Sequence, residues 1–177
     1  MVPIFILFLI NKNIPYNFLW AEIIFVIASL TDHFDGKLAR KNNEITDFGK
    51  FLDPLADKIL VMSAFVCFVE ISVIPAVAVV IILSREFIVT SVRLIASGKN
   101  KVIAANKWGK LKTVSQMVSI IFSIFLCFIK QIFILELNFF PLLNLINLIL
   151  IWIAVALTII SGFIYVKDNI DLIKNAK

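Results

Sequence analysis

Charge is scarce in this chain: Asp, Glu, Lys and Arg make up 16% of its 177 residues, against 61% hydrophobic residues. Soluble domains carry about a quarter of their residues as charges. The imbalance, with a mean hydropathy of +1.01, excludes an ordinary soluble fold and reads as an integral membrane protein. Cysteine is nearly absent as well. Cys67 and Cys127 both lie inside apolar runs, which leaves neither a disulfide framework nor a cysteine-based metal site. The one histidine, His33, falls between the fixed positions of the polar stretch described below and is assigned interfacial packing. There is no internal repeat and no low-complexity tract. Met1 to Ile10 lacks the basic flank and small-residue cleavage site of a signal peptide. The net charge of +5 does not point to nucleic acid. The basic residues sit in loops between apolar runs, where they set topology and favour anionic lipid surfaces.

Long apolar runs are what the chain has instead, and its length accommodates about six spans of roughly 20 residues each. The fold class expected is an all-α integral membrane protein, a six-transmembrane-helix bundle forming one domain over residues 1–177. Met1 to Ile10 is too short to cross a bilayer and reads as a first helix truncated at its start. Asn11 to Asn17, around Pro15, is a loop. The second helix is expected over Phe18 to Arg40, with Trp20 in the aromatic belt. The third runs from about Phe51 to Val69, with a turn at Glu70 to Ser72. A fourth covers about Val73 to Ala96, with Pro75 near its start, and Ser97 to Asn106 is a polar loop. The fifth runs from Lys107 to about Ile132 and the sixth from about Leu143 to Val166. Lys37, Arg40, Lys41 and Lys50 crowd one connection, and Lys99 and Lys101 another. Basic connections alternate with charge-poor ones, which puts both chain ends and the basic loops on the cytoplasmic side.

Against this apolar background one stretch stands out: Asp32-x2-Asp35-Gly36-x2-Ala39-Arg40-x8-Gly49-x3-Asp53-x3-Asp57. Asp32 and Asp35 are three apart and Asp53 and Asp57 four apart, so each pair projects from one helix face. Two helix ends brought together would converge four acids on a small volume, a donor set suited to divalent cations. Without metal their mutual repulsion would be costly in a low-dielectric setting. The bland alternative is a set of solvated helix-end acids. Two glycines in a region that otherwise reads as helix favour the functional reading, because a helix gains nothing from glycine. Gly36 permits close approach of a ligand to backbone, and Gly49 permits tight packing where the third helix begins. Arg40 can reach phosphate oxygens or act as an interfacial anchor. Asp57, one turn deeper than Asp53, can also accept a proton from an incoming hydroxyl.

Arg85, Arg93, Lys110 and Lys112 form a second, positive set. A charge in mid-helix, as at Arg85, needs a partner or a wet cavity. Pairing with Glu86 or with an aspartate is the structural alternative, and adjacency on one helix weakens the Glu86 version. The two lysines beside Trp108 also suit lipid headgroups. Together the four fit a pocket for an anionic second substrate.

The stretches TDHFDGKLAR (31–40) and TDFGKFLDPLADK (46–58) resemble the signature of the CDP-alcohol phosphotransferases, with every signature position at the family's spacing. SREF (84–87), Arg93 with Leu94, and GKLKT (109–113) are similar to segments of the family's bacterial phosphatidylglycerophosphate synthase branch. The resemblance implies a six-helix membrane fold, a homodimer in the cytoplasmic membrane, and an active site facing the cytoplasm. It implies two Mg²⁺ or Mn²⁺ ions on Asp32, Asp35, Asp53 and Asp57, with Asp57 as general base. Gly36, Ala39, Arg40 and Gly49 would serve the CDP moiety, and Arg85, Arg93, Lys110 and Lys112 the acceptor phosphate. The substrates so implied are CDP-diacylglycerol and glycerol 3-phosphate. Members of this branch carry a basic amphipathic segment before a complete first span, so a fragment or truncated start is expected here.

Three other readings compete. A membrane prenyltransferase would need a second aspartate-rich cluster, and none follows Asp57. A cation transporter would carry its acids near the membrane midplane, not at helix ends. Within the family, a serine acceptor leaves the basic set unexplained, whereas an inositol phosphate does not.

Overall fold

A computed structural model describes residues 1–42, 47–98, 107–133 and 139–170, with backbone alone for 32–42, 47–57 and 97. Among the described residues the chain is all-helical: α1 Val2–Ile10, α2 Asn17–Asn42, α3 Asp47–Glu70, α4 Ala76–Gly98, α5 Lys107–Ile132 and α6 Phe140–Asp168. Each expected helix is present. The third starts at Asp47 instead of Phe51, because the polar residues ahead of the apolar run are themselves helical. The fourth starts after Pro75, whose carbonyl accepts a bond from Ala78 N–H at 3.0 Å. Proline lacks the N–H a helix interior needs, so it stands at the boundary.

The turn after α3 closes without glycine. Val73 N–H reaches back to Phe68 O at 2.8 Å and Ser72 N–H to Val69 O at 3.0 Å. This is a Schellman cap, and Ser72 takes its left-handed position at φ 59°. Tyr16, ahead of α2, holds the other left-handed non-glycine position described, at φ 55°.

The chain divides into two compact units, Met1–Val73 with Ile120–Asn144, and Ile74–Ser119 with Leu145–Lys177. In the first, α1, α2 and α3 pack on one another. Phe5 and Leu9 of α1, Ala21, Phe25 and Ala28 of α2, and Ala64, Phe65 and Phe68 of α3 are buried. Spacings of one, three and four residues, as in Ala21, Phe25 and Ala28, give each helix one inward stripe. The Phe5 and Phe25 rings meet at 5.6 Å between centroids. The start of α2 is pinned by Asn17, which is fully buried. Its Nδ2 donates to Phe8 O at 3.0 Å, and its Oδ1 accepts from Gln131 Nε2 at 2.9 Å. One side chain thus ties α1, α2 and the end of α5.

Helices α5 and α6 are long and apolar enough to cross a membrane. Besides apolar residues such as Ile120, Ile124 and Ile151, both helices bury polar ones and turn large apolar side chains outward. α5 buries Lys112, Gln116, Ser119 and Ser123 on one face, while Leu111, Val114, Val118 and Phe125 are exposed. α6 buries Asn147, Thr158 and Ser161 and exposes Ile149, Trp152, Ile159 and Phe163. In water this arrangement would cost free energy on both faces, whereas lipid rewards the outer face and drives the polar groups inward.

Candidate functional site

The aspartate pattern maps onto the junction of two successive helices. Asp32, Asp35, Gly36, Ala39 and Arg40 belong to the last turns of α2, and Gly49, Asp53 and Asp57 to the first turns of α3. The side chains of all eight lie outside the described residues. What the backbone establishes is that both aspartate pairs stand on helical turns, in two helices that pack on each other in one unit.

The basic set can be followed to the atom, within the second unit. Arg85 lies in the middle of α4 and Lys112 near the start of α5. Both converge on Glu86. Arg85 Nη1 donates to Glu86 Oε1 at 3.1 Å, and Lys112 Nζ donates to the same oxygen. The side chains of Arg85, Glu86 and Lys112 are 13%, 5% and 5% exposed, so this is a buried ion trio and not a surface pair. Adjacency on the helix does not prevent the Arg85–Glu86 contact, because the long arginine side chain folds back to its neighbour's carboxylate. Arg85 Nε is buried and, among the described residues, has no hydrogen-bond partner.

α6 completes the surroundings of Arg85 through an absence. A Cβ on Gly162 would lie 2.8 Å from Arg85 Cγ and 3.9 Å from its Cβ and Nε. That is closer than real side-chain carbons approach, so the arginine stem occupies space any other residue at 162 would claim. Two turns along α4, Arg93 also meets α6. Its Nε donates to Tyr165 Oη at 3.4 Å, with the guanidinium carbon 5.7 Å from the ring centroid. Tyr165 is itself buried with Val89 and Val92. Lys110 is exposed. The structure therefore brings Arg85 and Lys112 together, places Arg93 against Tyr165, and leaves Lys110 at the surface.

A neutral polar seam continues between α5 and α6 in the same unit. Gln116 Nε2 donates to Thr158 Oγ1 at 3.2 Å, and Thr158 Oγ1 donates to Ala154 O at 2.6 Å. Ser119 Oγ lies 3.1 Å from Leu150 O and 2.8 Å from Ser115 O. Hydroxyls that bond their own helix backbone can sit in an apolar interior at little cost.

Sequence reasoning missed Glu86 as the hub of the trio, along with Gly162 and Tyr165. Glu86 and Lys112 are 26 residues apart on different helices, a separation with no periodic signature. Gly162 did leave a signal: a glycine inside an apolar helix costs stability unless something must approach closely.

Comparison with known proteins agrees with the pattern. The family model for CDP-alcohol phosphatidyltransferase matches residues 1–160. A CDP-diacylglycerol–glycerol-3-phosphate 3-phosphatidyltransferase of Bacillus subtilis (strain 168) is 38% identical, over 99% of this chain and 92% of the relative. The proteins of the same name from Rickettsia bellii and Treponema pallidum are 37% and 32% identical. They are matched over 94% and 86% of this chain and 87% and 70% of their own lengths, respectively. With the helical aspartate pattern and a family match over most of its length, the chain belongs to the CDP-alcohol phosphatidyltransferase family.

Proposed function

We propose that this chain transfers a phosphatidyl group from CDP-diacylglycerol to glycerol 3-phosphate, releasing CMP and leaving phosphatidylglycerophosphate in the membrane. The observation that carries this reading is the nearly full-length similarity to transferases of that name, in a chain that keeps all four aspartates.

Carboxylate oxygens are what hard divalent cations take as ligands. Asp32, Asp35, Asp53 and Asp57, on helical turns of α2 and α3, fit two Mg²⁺ or Mn²⁺ ions by the chemistry of the donor set. Bound there, the ions would neutralise diphosphate charge. Gly36, Ala39, Arg40 and Gly49 serve the CDP moiety, glycine by leaving backbone accessible and arginine by its forked donors. Asp57 accepts the proton of the acceptor's 1-hydroxyl as that oxygen attacks the β-phosphorus. The bond from the β-phosphorus to the oxygen of CMP breaks, and CMP departs with that electron pair. Arg85, Arg93, Lys110 and Lys112 supply positive charge for the acceptor's phosphate.

The remaining architecture belongs to the same proposal: six membrane spans, a homodimer, and an active site facing the cytoplasm in the cell membrane. The alternation of basic and charge-poor connections supports the orientation, and the exposed large apolar residues of α5 and α6 support the lipid setting.

The test is CMP release by the purified chain from CDP-diacylglycerol with Mg²⁺, comparing glycerol 3-phosphate, serine and inositol phosphate as acceptors. Release with glycerol 3-phosphate alone, abolished by Asp57→Asn, is the expected result. Release with another acceptor instead overturns the assignment of substrate while keeping the chemistry.

A further inference from the structure

The four basic residues are not equivalent, and the difference shows how one of them is aimed. Lys112 is buried and bonded to Glu86, and Arg93 rests on Tyr165. Arg85 is held at two places by different means. Its Nη1 is tied to Glu86, and its stem fills the volume that Gly162 leaves empty. The Nε between those holds is buried and has no partner among the described residues. A guanidinium carries five N–H donors in one rigid plane, so fixing one nitrogen and the stem fixes the direction of the rest. An unfilled buried donor is destabilising, and that cost is recovered when an acceptor oxygen arrives.

We infer that Glu86 and Gly162 are positioning residues for Arg85, one through its shared carboxylate oxygen and the other through its missing side chain. Together they present the Arg85 guanidinium as a pre-aimed donor for an anionic oxygen of the acceptor substrate. Neither need touch the substrate. The inference rests on the proposed reaction and deepens it by naming what orients its anion-binding arginine. Pre-orientation matters because a flexible arginine would lose rotamer freedom on binding.

The experiment is steady-state CMP release by the full chain in detergent or nanodiscs, with KM measured separately for glycerol 3-phosphate and CDP-diacylglycerol. Wild type, Gly162→Ala and Glu86→Gln are compared, each with its melting temperature. A methyl at 162 must push the Arg85 stem aside. The expected result is an acceptor KM raised on the order of tenfold, the size of one charged hydrogen bond lost or misaligned. The KM for CDP-diacylglycerol stays within about twofold, a change well below that of a lost hydrogen bond. The same split is expected for Glu86→Gln. Gly162→Ala in an Arg85→Ala background should add little further loss, because both changes act through one side chain. An unchanged acceptor KM in Gly162→Ala overturns the inference, as does an equal rise in both KM values or full additivity with Arg85→Ala. If wild type itself shows no turnover dependent on glycerol 3-phosphate, it is the proposed reaction that fails.

Discussion

Removing the Glu86 carboxylate, as in Glu86→Ala, tests whether the ion trio holds the second unit together. The starting point is burial: Glu86 and Lys112 are 5% exposed and Arg85 13%. A solvent-exposed pair would contribute about 0–1 kcal/mol, and its loss would barely register. Deleting one partner of a buried pair costs about 3–5 kcal/mol, because the remaining charge keeps its desolvation penalty and loses its compensation. Here Arg85 and Lys112 both lose the carboxylate they share. For a chain of this size the lost stability corresponds to a drop in melting temperature on the order of 10 °C. The assay is thermal unfolding of the detergent-solubilised chain, followed by size-exclusion recovery after heating. Replacing Arg85, Glu86 and Lys112 together by Met removes all three charges and should regain much of the loss, since apolar replacement of a whole buried ion group is often neutral. A melting temperature for Glu86→Ala equal to that of wild type would refute the reasoning, because it would mean the trio is solvated and only incidentally close.

The other predictions concern different parts of the chain. Asn17→Ala removes the side-chain bonds to Phe8 O and Gln131 Nε2; with buried partners left behind, a loss of about 1–3 kcal/mol is expected in the same thermal assay. Ser72→Gly relieves a left-handed serine at φ 59° and should raise stability by about 0.5–1 kcal/mol, part of the left-handed penalty being offset by glycine's extra chain entropy. Thr158→Val deletes the hydroxyl that Gln116 bonds, and helix-to-helix hydrogen bonds of this type in membrane proteins average about 0.6 kcal/mol. A small drop in melting temperature is therefore expected there, well short of the Glu86 effect. Chelation with EDTA should abolish CMP release, and added Mg²⁺ or Mn²⁺ should restore it while Asp32→Asn stays inactive at any metal concentration tested.

α5 and α6 were legible in the sequence because crossing lipid imposes a one-dimensional rule, with enough consecutive apolar residues to satisfy every backbone group internally. That rule placed α5 from Lys107 to about Ile132, which agrees with the helix Lys107–Ile132. It was less sharp at α3, where the aspartate-bearing turns are helical without being apolar. The turn at Ser72 was expected from Glu70 to Ser72 although no glycine or proline breaks the chain there. Its cap is made by backbone bonds, which any sequence can form if the strain is borne elsewhere.

Side-chain partnerships follow a different logic, and this is why the basic set was only half readable. From the sequence, an arginine in mid-helix signals that some compensation exists, but not where it comes from. Hydrophobic period fixes which residues face inward, whereas the identity of an inward partner depends on how helices far apart in sequence meet. Glu86 is inward with Val89 and Val92, and Lys112 with Gln116 and Ser119; their pairing needs α4 and α5 to present those faces to each other. Gly162 makes the same point from the opposite side. Its value lies in a volume given up to Arg85, and a volume given up leaves no chemical group to recognise. In a membrane interior, where apolar contact with lipid is as favourable as apolar contact with protein, such close fits and ion pairs carry a larger share of the specificity of packing than they would in water. The charged and small residues of α4, α5 and α6 are therefore where substitutions should act most strongly, even at positions that never meet a substrate.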